Sequence, residues 1–164
     1  MNKNRIKIAG IVKNSIVDGR GIRYVVFAQG CPHKCENCHN PHTHDFSGGE
    51  WRDVSQLADE IRRDPLLDGV TFSGGEPFFQ AEMFAVLAEQ IHNCHIICYS
   101  GYTFEELYQE EKNHNLLKRI DVLIDGRFIE SEKSMDLQFK GSRNQRTLNS
   151  KESLKFGKAI EIIL

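Results

Sequence analysis

No stretch of this chain stays apolar long enough to cross a bilayer. The first candidate, residues 6–12, follows a basic start, Met-Asn-Lys-Asn-Arg, and falls well short of the roughly 20 apolar residues a span requires. It is also too short for the core of a signal peptide, so a cytoplasmic protein with no membrane contact is expected. A surplus of charge is missing as well. With 21 Lys and Arg against 23 Asp and Glu, nothing favours a general nucleic-acid surface, and the near-normal apolar content excludes a disordered charged tail. The spaced, even set of cysteines that frames a disulfide scaffold is absent too. There are 5 cysteines, an odd number with three in one loop, which fits a reducing compartment and metal binding better. A length of 164 residues suggests one domain, 1–164, able to bury about two-thirds of the surface of its unfolded chain.

What is present is concentrated between Gln29 and Asn40, Gln-Gly-Cys-Pro-His-Lys-Cys-Glu-Asn-Cys-His-Asn. Cys31, Cys35 and Cys38 stand three and then two residues apart, close enough to hold one metal centre. Two centres fit this spacing. A cubane iron-sulfur cluster is usually held by four thiolates, so three would leave one iron open to a small molecule. The other is a zinc knuckle completed by His33, His39, His42 or His44, although common zinc patterns favour paired Cys-x-x-Cys units. Among polar neighbours these histidines read as solvated loop residues before they read as ligands.

Strands are expected over residues 6–12, 24–29, 69–73, 96–100 and 122–124, from short apolar runs bounded by turn residues. Residues 15–23 read as a turn-rich connection and 41–51 as an irregular segment long enough to be functional. One helix starts at the cap Asp53 and carries Val54, Leu57, Ala58 and Ile61 on one face. Another turns Phe84, Leu87, Ala88 and Ile91 inward, and Thr103-Phe-Glu-Glu106 makes a capping box for a third, with Phe104, Leu107 and Tyr108. Residues 127–149 show no period, and 159–164 can supply a last strand. Strands recurring about every 26 residues with helices between them predict βαβ units around a mainly parallel sheet. Too few for a closed eight-fold barrel, they predict an α/β fold of the partial, open barrel type, with a doubly wound sheet as the alternative. Cys94 and Cys98, where helix gives way to strand, read as small core residues.

In such folds the loops after the carboxyl ends of the strands share one edge. The Cys loop, Gly74-Gly75-Glu76-Pro77, Ser100-Gly101-Tyr102 and Asp125-Gly126 should therefore meet. Cys-x-x-x-Cys-x-x-Cys followed by Gly-Gly-Glu-Pro resembles the radical S-adenosylmethionine superfamily. More narrowly, Val17-Asp-Gly-Arg-Gly-Ile-Arg23, Cys38-His-Asn40, Tyr99-Ser-Gly-Tyr-Thr103, Asp121-Val-Leu-Ile-Asp-Gly126 and Gly141-Ser-Arg-Asn-Gln-Arg146 resemble the family that activates anaerobic ribonucleoside-triphosphate reductase. The resemblance spans about residues 6–146.

That resemblance implies one [4Fe-4S] cluster on Cys31, Cys35 and Cys38, with S-adenosylmethionine chelating the fourth iron. A low-potential electron donor would reduce the cluster, and cleavage of the sulfonium would give methionine and a 5′-deoxyadenosyl radical. Gly74 and Gly75 would bring bare backbone to the cofactor and Glu76 would accept from its ammonium, while Asn37 and His39 would lie against the adenine. The superfamily often carries an aromatic residue where this chain has Asn37, and relatives often carry Pro where it has Arg20. Tyr102 reads as packing before it reads as a cavity residue. The implied partner is the large reductase subunit, which would lose a hydrogen atom from a glycine Cα, and residues 143–146 would help it dock. Two other readings stand beside this one: activation of another glycyl-radical enzyme such as pyruvate formate-lyase, and a non-enzymatic zinc module.

Overall fold

Ile6 and Ile8 alternate with polar neighbours and are fully buried, which makes Arg5–Ser15 strand β1. The computed structural model, which describes residues 4–164, pairs it antiparallel with β2, Arg23–Ala28. The reason is length: residues 16–22 cannot make the crossover of a dozen or more residues that parallel pairing needs. Beyond the Cys loop the chain returns as β3, Glu50–Asp53, antiparallel along the outer side of β1. Asp53 then caps α1, Val54–Arg62, accepting the Gln56 amide at 3.0 Å.

β4 (Gly69–Gly74), β5 (His95–Tyr99) and β6 (Val122–Asp125) follow in register, each parallel to its neighbour, beginning from β2. Helix α2 (Ala81–Gln90) connects β4 to β5, and α3 (Phe104–Tyr108) with α4 (His114–Arg119) connects β5 to β6. Strand β7, Arg146–Asn149, closes the far side antiparallel to β6 and leads into α5, Ser150–Phe156. The sheet is open, in the order β3-β1-β2-β4-β5-β6-β7.

An α/β sheet was expected, and its centre is parallel, but both flanks are antiparallel. β7 runs that way because the chain leaves β6 at its carboxyl end and, with no crossover helix between residues 126 and 145, re-enters the sheet at the same edge. Both β3 and β7 are four-residue strands of mixed burial with no readable period. The strand expected at 159–164 shrinks to a single bridge between Leu148 and Glu161.

The two faces of the sheet differ. α1, α2, α4 and α5 pack side by side, and their apolar residues join Val26, Phe72, Cys98 and Leu123 in one core. Phe72 and Phe84 meet edge-on with centroids 4.9 Å apart, and burying each stabilises the fold by about 1.5–3 kcal/mol. On the other face Ile97, Val122 and Ile124 are covered by Phe139 and by Ile162 and Leu164 of the tail. Arg23, 1% exposed, lies buried against β4 and β5, donating to Thr71 Oγ1 at 2.7 Å and to the carbonyls of Val70 and His95. Burial lowers its pKa from the ordinary arginine value.

The capping box expected at α3 is complete: Thr103 accepts the Glu106 amide while Glu106 accepts the Thr103 amide at 2.8 Å. Thr103→Ala should lower stability by about 1 kcal/mol in urea unfolding with an unchanged slope. A midpoint equal to wild type would mean that Glu106 alone holds the helix start.

Candidate iron-sulfur and cofactor site

The four parallel strands end at one edge and together wall a cavity of about 490 Å³. Cys31, Cys35 and Cys38 line it from the loop after β2, and Gly74 and Gly75 from the turn after β4. Ser100, Gly101 and Gly126 complete it from β5 and β6. Its floor includes Phe27, Ser73 and Tyr99, side chains that alternate with core residues and so project from the face without helices.

Local backbone chemistry shapes the Cys loop. Gly30 donates to Thr43 O at 2.7 Å and Cys31 to His44 O at 3.1 Å, fixing Cys31 against the returning chain. Gln29 holds that return by donating to the carbonyls of Asp45 and His42. Lys34 and Asn37 both adopt positive φ, at 53° and 55°, so the chain turns sharply before each of the next two cysteines. Cys31 is buried and the other two are half-buried. Burial pushes the Cys31 thiol up to about 11, so binding a metal there releases a proton. Cys94 and Cys98 stand apart, Cys98 inside the main core and Cys94 packed against it.

Glu76 is fully buried and does not line the cavity; it ties the loops around it together. One carboxylate oxygen accepts the Phe78 amide at 3.0 Å and the Ser100 hydroxyl at 2.9 Å. The other accepts the Gly101 amide at 2.8 Å and faces His33 Nε2 at 2.6 Å. Gly74 sits at φ +90°, and a Cβ on Gly75 would run into the carbonyl of Gly30, so this turn must be bare backbone pressed on the Cys loop.

The histidines did not stay solvated as a group. The side chain of His33 is only 4% exposed. It packs edge-on to Tyr102, with centroids 4.4 Å apart, so that Tyr102 supports the cavity wall from behind. His39 lies on the cavity against Phe128, at 4.9 Å, whereas Asn37 turns away and donates to Glu130 at 2.6 Å. Sequence reasoning missed Phe128, Phe139, Lys140 and Gln145, which line the cavity from a stretch without periodicity. The glutamine of Gly-Ser-Arg-Asn-Gln-Arg was the available signal: Gln145 accepts the Gly141 amide and donates to Gly126 O. Arg146, expected at a docking surface, is committed to Asp125 at 2.6 Å and Glu105 at 2.7 Å.

Three thiols opening on a common space are the soft donors an iron-sulfur cluster takes, and the cavity is large enough for a second, organic ligand. Among the described residues no group of three or more His, Cys, Asp or Glu is gathered closely enough to hold a single metal ion. The sequence matches the family described as a 4Fe-4S single cluster domain over residues 17–148. This defines the class, a single-cluster iron-sulfur protein.

Relatives narrow it. The anaerobic ribonucleoside-triphosphate reductase-activating protein of Vibrio cholerae serotype O1 is 35% identical over 142 residues, 79% of this chain and 89% of that one. Its counterpart from Enterobacteria phage T4 is 32% identical, with 79% and 85% covered. The pyruvate formate-lyase-activating enzyme of Clostridium pasteurianum is 38% identical over 126 residues, but only 52% of it is spanned. The chain belongs to the family of anaerobic ribonucleoside-triphosphate reductase-activating proteins.

Proposed function

We propose that this protein is an iron-sulfur oxidoreductase of the radical S-adenosylmethionine type that generates a glycyl radical on the large subunit of anaerobic ribonucleoside-triphosphate reductase. The observation that carries this reading is the opening of three thiols and the bare Gly74-Gly75 backbone onto one cavity. When bound, a [4Fe-4S] cluster would supply the electron that cleaves S-adenosylmethionine to a 5′-deoxyadenosyl radical.

The chain's own residues do the rest. Cys31, Cys35 and Cys38 would hold the cluster, and the bare Gly74 and Gly75 backbone would receive the methionine end of S-adenosylmethionine. Glu76, fully buried and outside the cavity lining, fixes that turn from beneath. His39, with Phe128 beside it, would border the adenine side. The open sheet serves as a partial β/α barrel, with residues 1–164 as one domain, because a partner's glycine loop must enter at its edge. Docking there excludes water and oxygen from the reacting atoms.

Coverage favours the reductase over pyruvate formate-lyase as target, since the chain spans 89% of the Vibrio relative and about half of the Clostridium one. No helix among the described residues is long and apolar enough to cross a membrane. A cytoplasmic protein served by a low-potential electron donor completes the reading, with no role for nucleic acid.

The test is anaerobic reconstitution followed by iron and sulfide analysis, then dithionite with S-adenosylmethionine and mass detection of 5′-deoxyadenosine. About four irons and four sulfides per chain are expected, with a glycyl-radical resonance once the reductase subunit is added. Stoichiometric zinc, no iron uptake and no nucleoside would overturn the proposal in favour of a zinc module.

A further inference from the structure

The Glu76 carboxylate receives hydrogen bonds from two loops besides its own. Phe78 belongs to the same turn, and Ser100 and Gly101 belong to the loop after β5. His33 alone comes from the Cys loop. Residues 32–38 otherwise make only local bonds, such as Cys38 N to Cys35 O, and the Asn37 bond to Glu130 on the far side. Among the described residues His33 is therefore the one hydrogen bond from this ligand segment to the Gly-Gly-Glu turn.

The ring is also held sterically. A Cβ on Gly101 would run into the His33 imidazole, and the Tyr102 ring meets it edge-on at an interplanar angle of 77°. Because the carboxylate accepts, Nε2 carries the hydrogen. The contact is at 2.6 Å between side chains 4% and 0% exposed, where little solvent competes.

From this geometry we infer that His33 is a positioning residue that keeps the metal-ligand segment in register with the cofactor turn. The inference rests on the function proposed above. The peptide that leads into Cys31 is held by two backbone bonds, Glu76 N to Gly30 O and Cys31 N to His44 O, so Cys31 does not need this tie. Cys35 and Cys38 come after His33, so the tie fixes where the centre they complete stands relative to Gly74 and Gly75. A small molecule that must bridge an open iron and the turn backbone binds well only if that separation is set before it arrives. Without the tie the three thiols still hold a cluster, but the bridging ligand must order the loop itself.

The test uses full-length protein reconstituted without oxygen, with S-adenosylmethionine as the probe. Iron and sulfide content is measured first, then the dissociation constant by equilibrium dialysis. His33→Ala should retain wild-type iron and bind roughly ten- to a hundredfold more weakly, the scale of one hydrogen bond to a charged group. His33→Gln, which returns an N–H near the position of Nε2, should recover most of that loss. Gly101→Ala, which keeps His33 but displaces its ring, should weaken binding in the same direction and also retain iron. Wild-type affinity in His33→Ala would overturn the inference and leave the proposed function standing. Loss of iron in His33→Ala would overturn it too, by making the residue a support of the ligand loop itself. Failure of the wild-type cluster protein to bind S-adenosylmethionine would overturn the inference together with the proposed function.

Discussion

Cys35→Ala, reconstituted without oxygen, is expected to hold less than about one-tenth of the wild-type iron and to form no measurable 5′-deoxyadenosine. Three thiols are already one fewer than a cubane cluster usually has. A second open iron would lose its cluster to solvent and oxygen. The fold should survive, because Cys35 is half-buried in an irregular loop and contributes nothing to either core cluster. Metal-free wild type and variant should therefore unfold at midpoints within about 0.5 kcal/mol of each other, as surface substitutions do. Cys38→Ala should behave in the same way. Cys31→Ala is a poorer probe, since that side chain is only 7% exposed and its loss disturbs packing as well. Full iron uptake by Cys35→Ala would mean that His33, His39 or His44 replaces it, and Cys35 would lose its place as a ligand.

Glu76→Ala should cost about 3–5 kcal/mol of stability in the metal-free protein, the largest effect of any single change near the site. The carboxylate is fully buried, and its removal strands the amides of Phe78 and Gly101, the Ser100 hydroxyl and the His33 N–H without an acceptor. Phe78, Ser100 and the His33 side chain are nearly buried, so these donors lose their partner with little replacement by water. Glu76→Gln keeps one acceptor oxygen but turns an NH2 toward donors, and it should fall between wild type and alanine. Urea unfolding followed by circular dichroism makes the comparison, with an unchanged slope as evidence that the two-state description still holds. If Glu76→Ala were as stable as wild type, the hydrogen bonds around the carboxylate would contribute little, and Glu76 would serve the cofactor alone.

Much of this protein was legible from short range. Short apolar runs bounded by turn residues located the parallel strands, and a period of 3.6 residues located the faces of α1, α2 and α3. Asp53 and Thr103 marked helix starts that hold as caps. Strand ends of a parallel sheet must share an edge, so the Cys loop and the turns at 74–77, 100–102 and 125–126 were expected to meet. Gly74, Gly75, Ser100, Gly101 and Gly126 line one cavity with the thiols, whereas Glu76, Tyr102 and Asp125 do not line it. These features depend on neighbours a few residues apart or on a rule of topology, and a single sequence carries both. The antiparallel flanks were less accessible. For β1 the length of the connection decides the direction, whereas β3 and β7 are too short to show a period and exist because a neighbouring strand offers them an edge.

Contacts between distant segments were left to the tertiary structure. His33 looked like one of several polar loop histidines, and the approach of Glu76, 43 positions away, together with Gly101 and Tyr102, buries it. Residues 127–145 looked featureless because, apart from Phe139 against the sheet, their side chains pack on loop ends. Their order comes from Gln145, Ser142 and Asn144 bonding to neighbouring loop backbone. The sequence by itself placed three thiols in one loop, located the central strands and put their carboxyl ends on one edge. Which side chains hold those loops together was decided by folding, because a hydrogen bond between separate loops has no local period to reveal it.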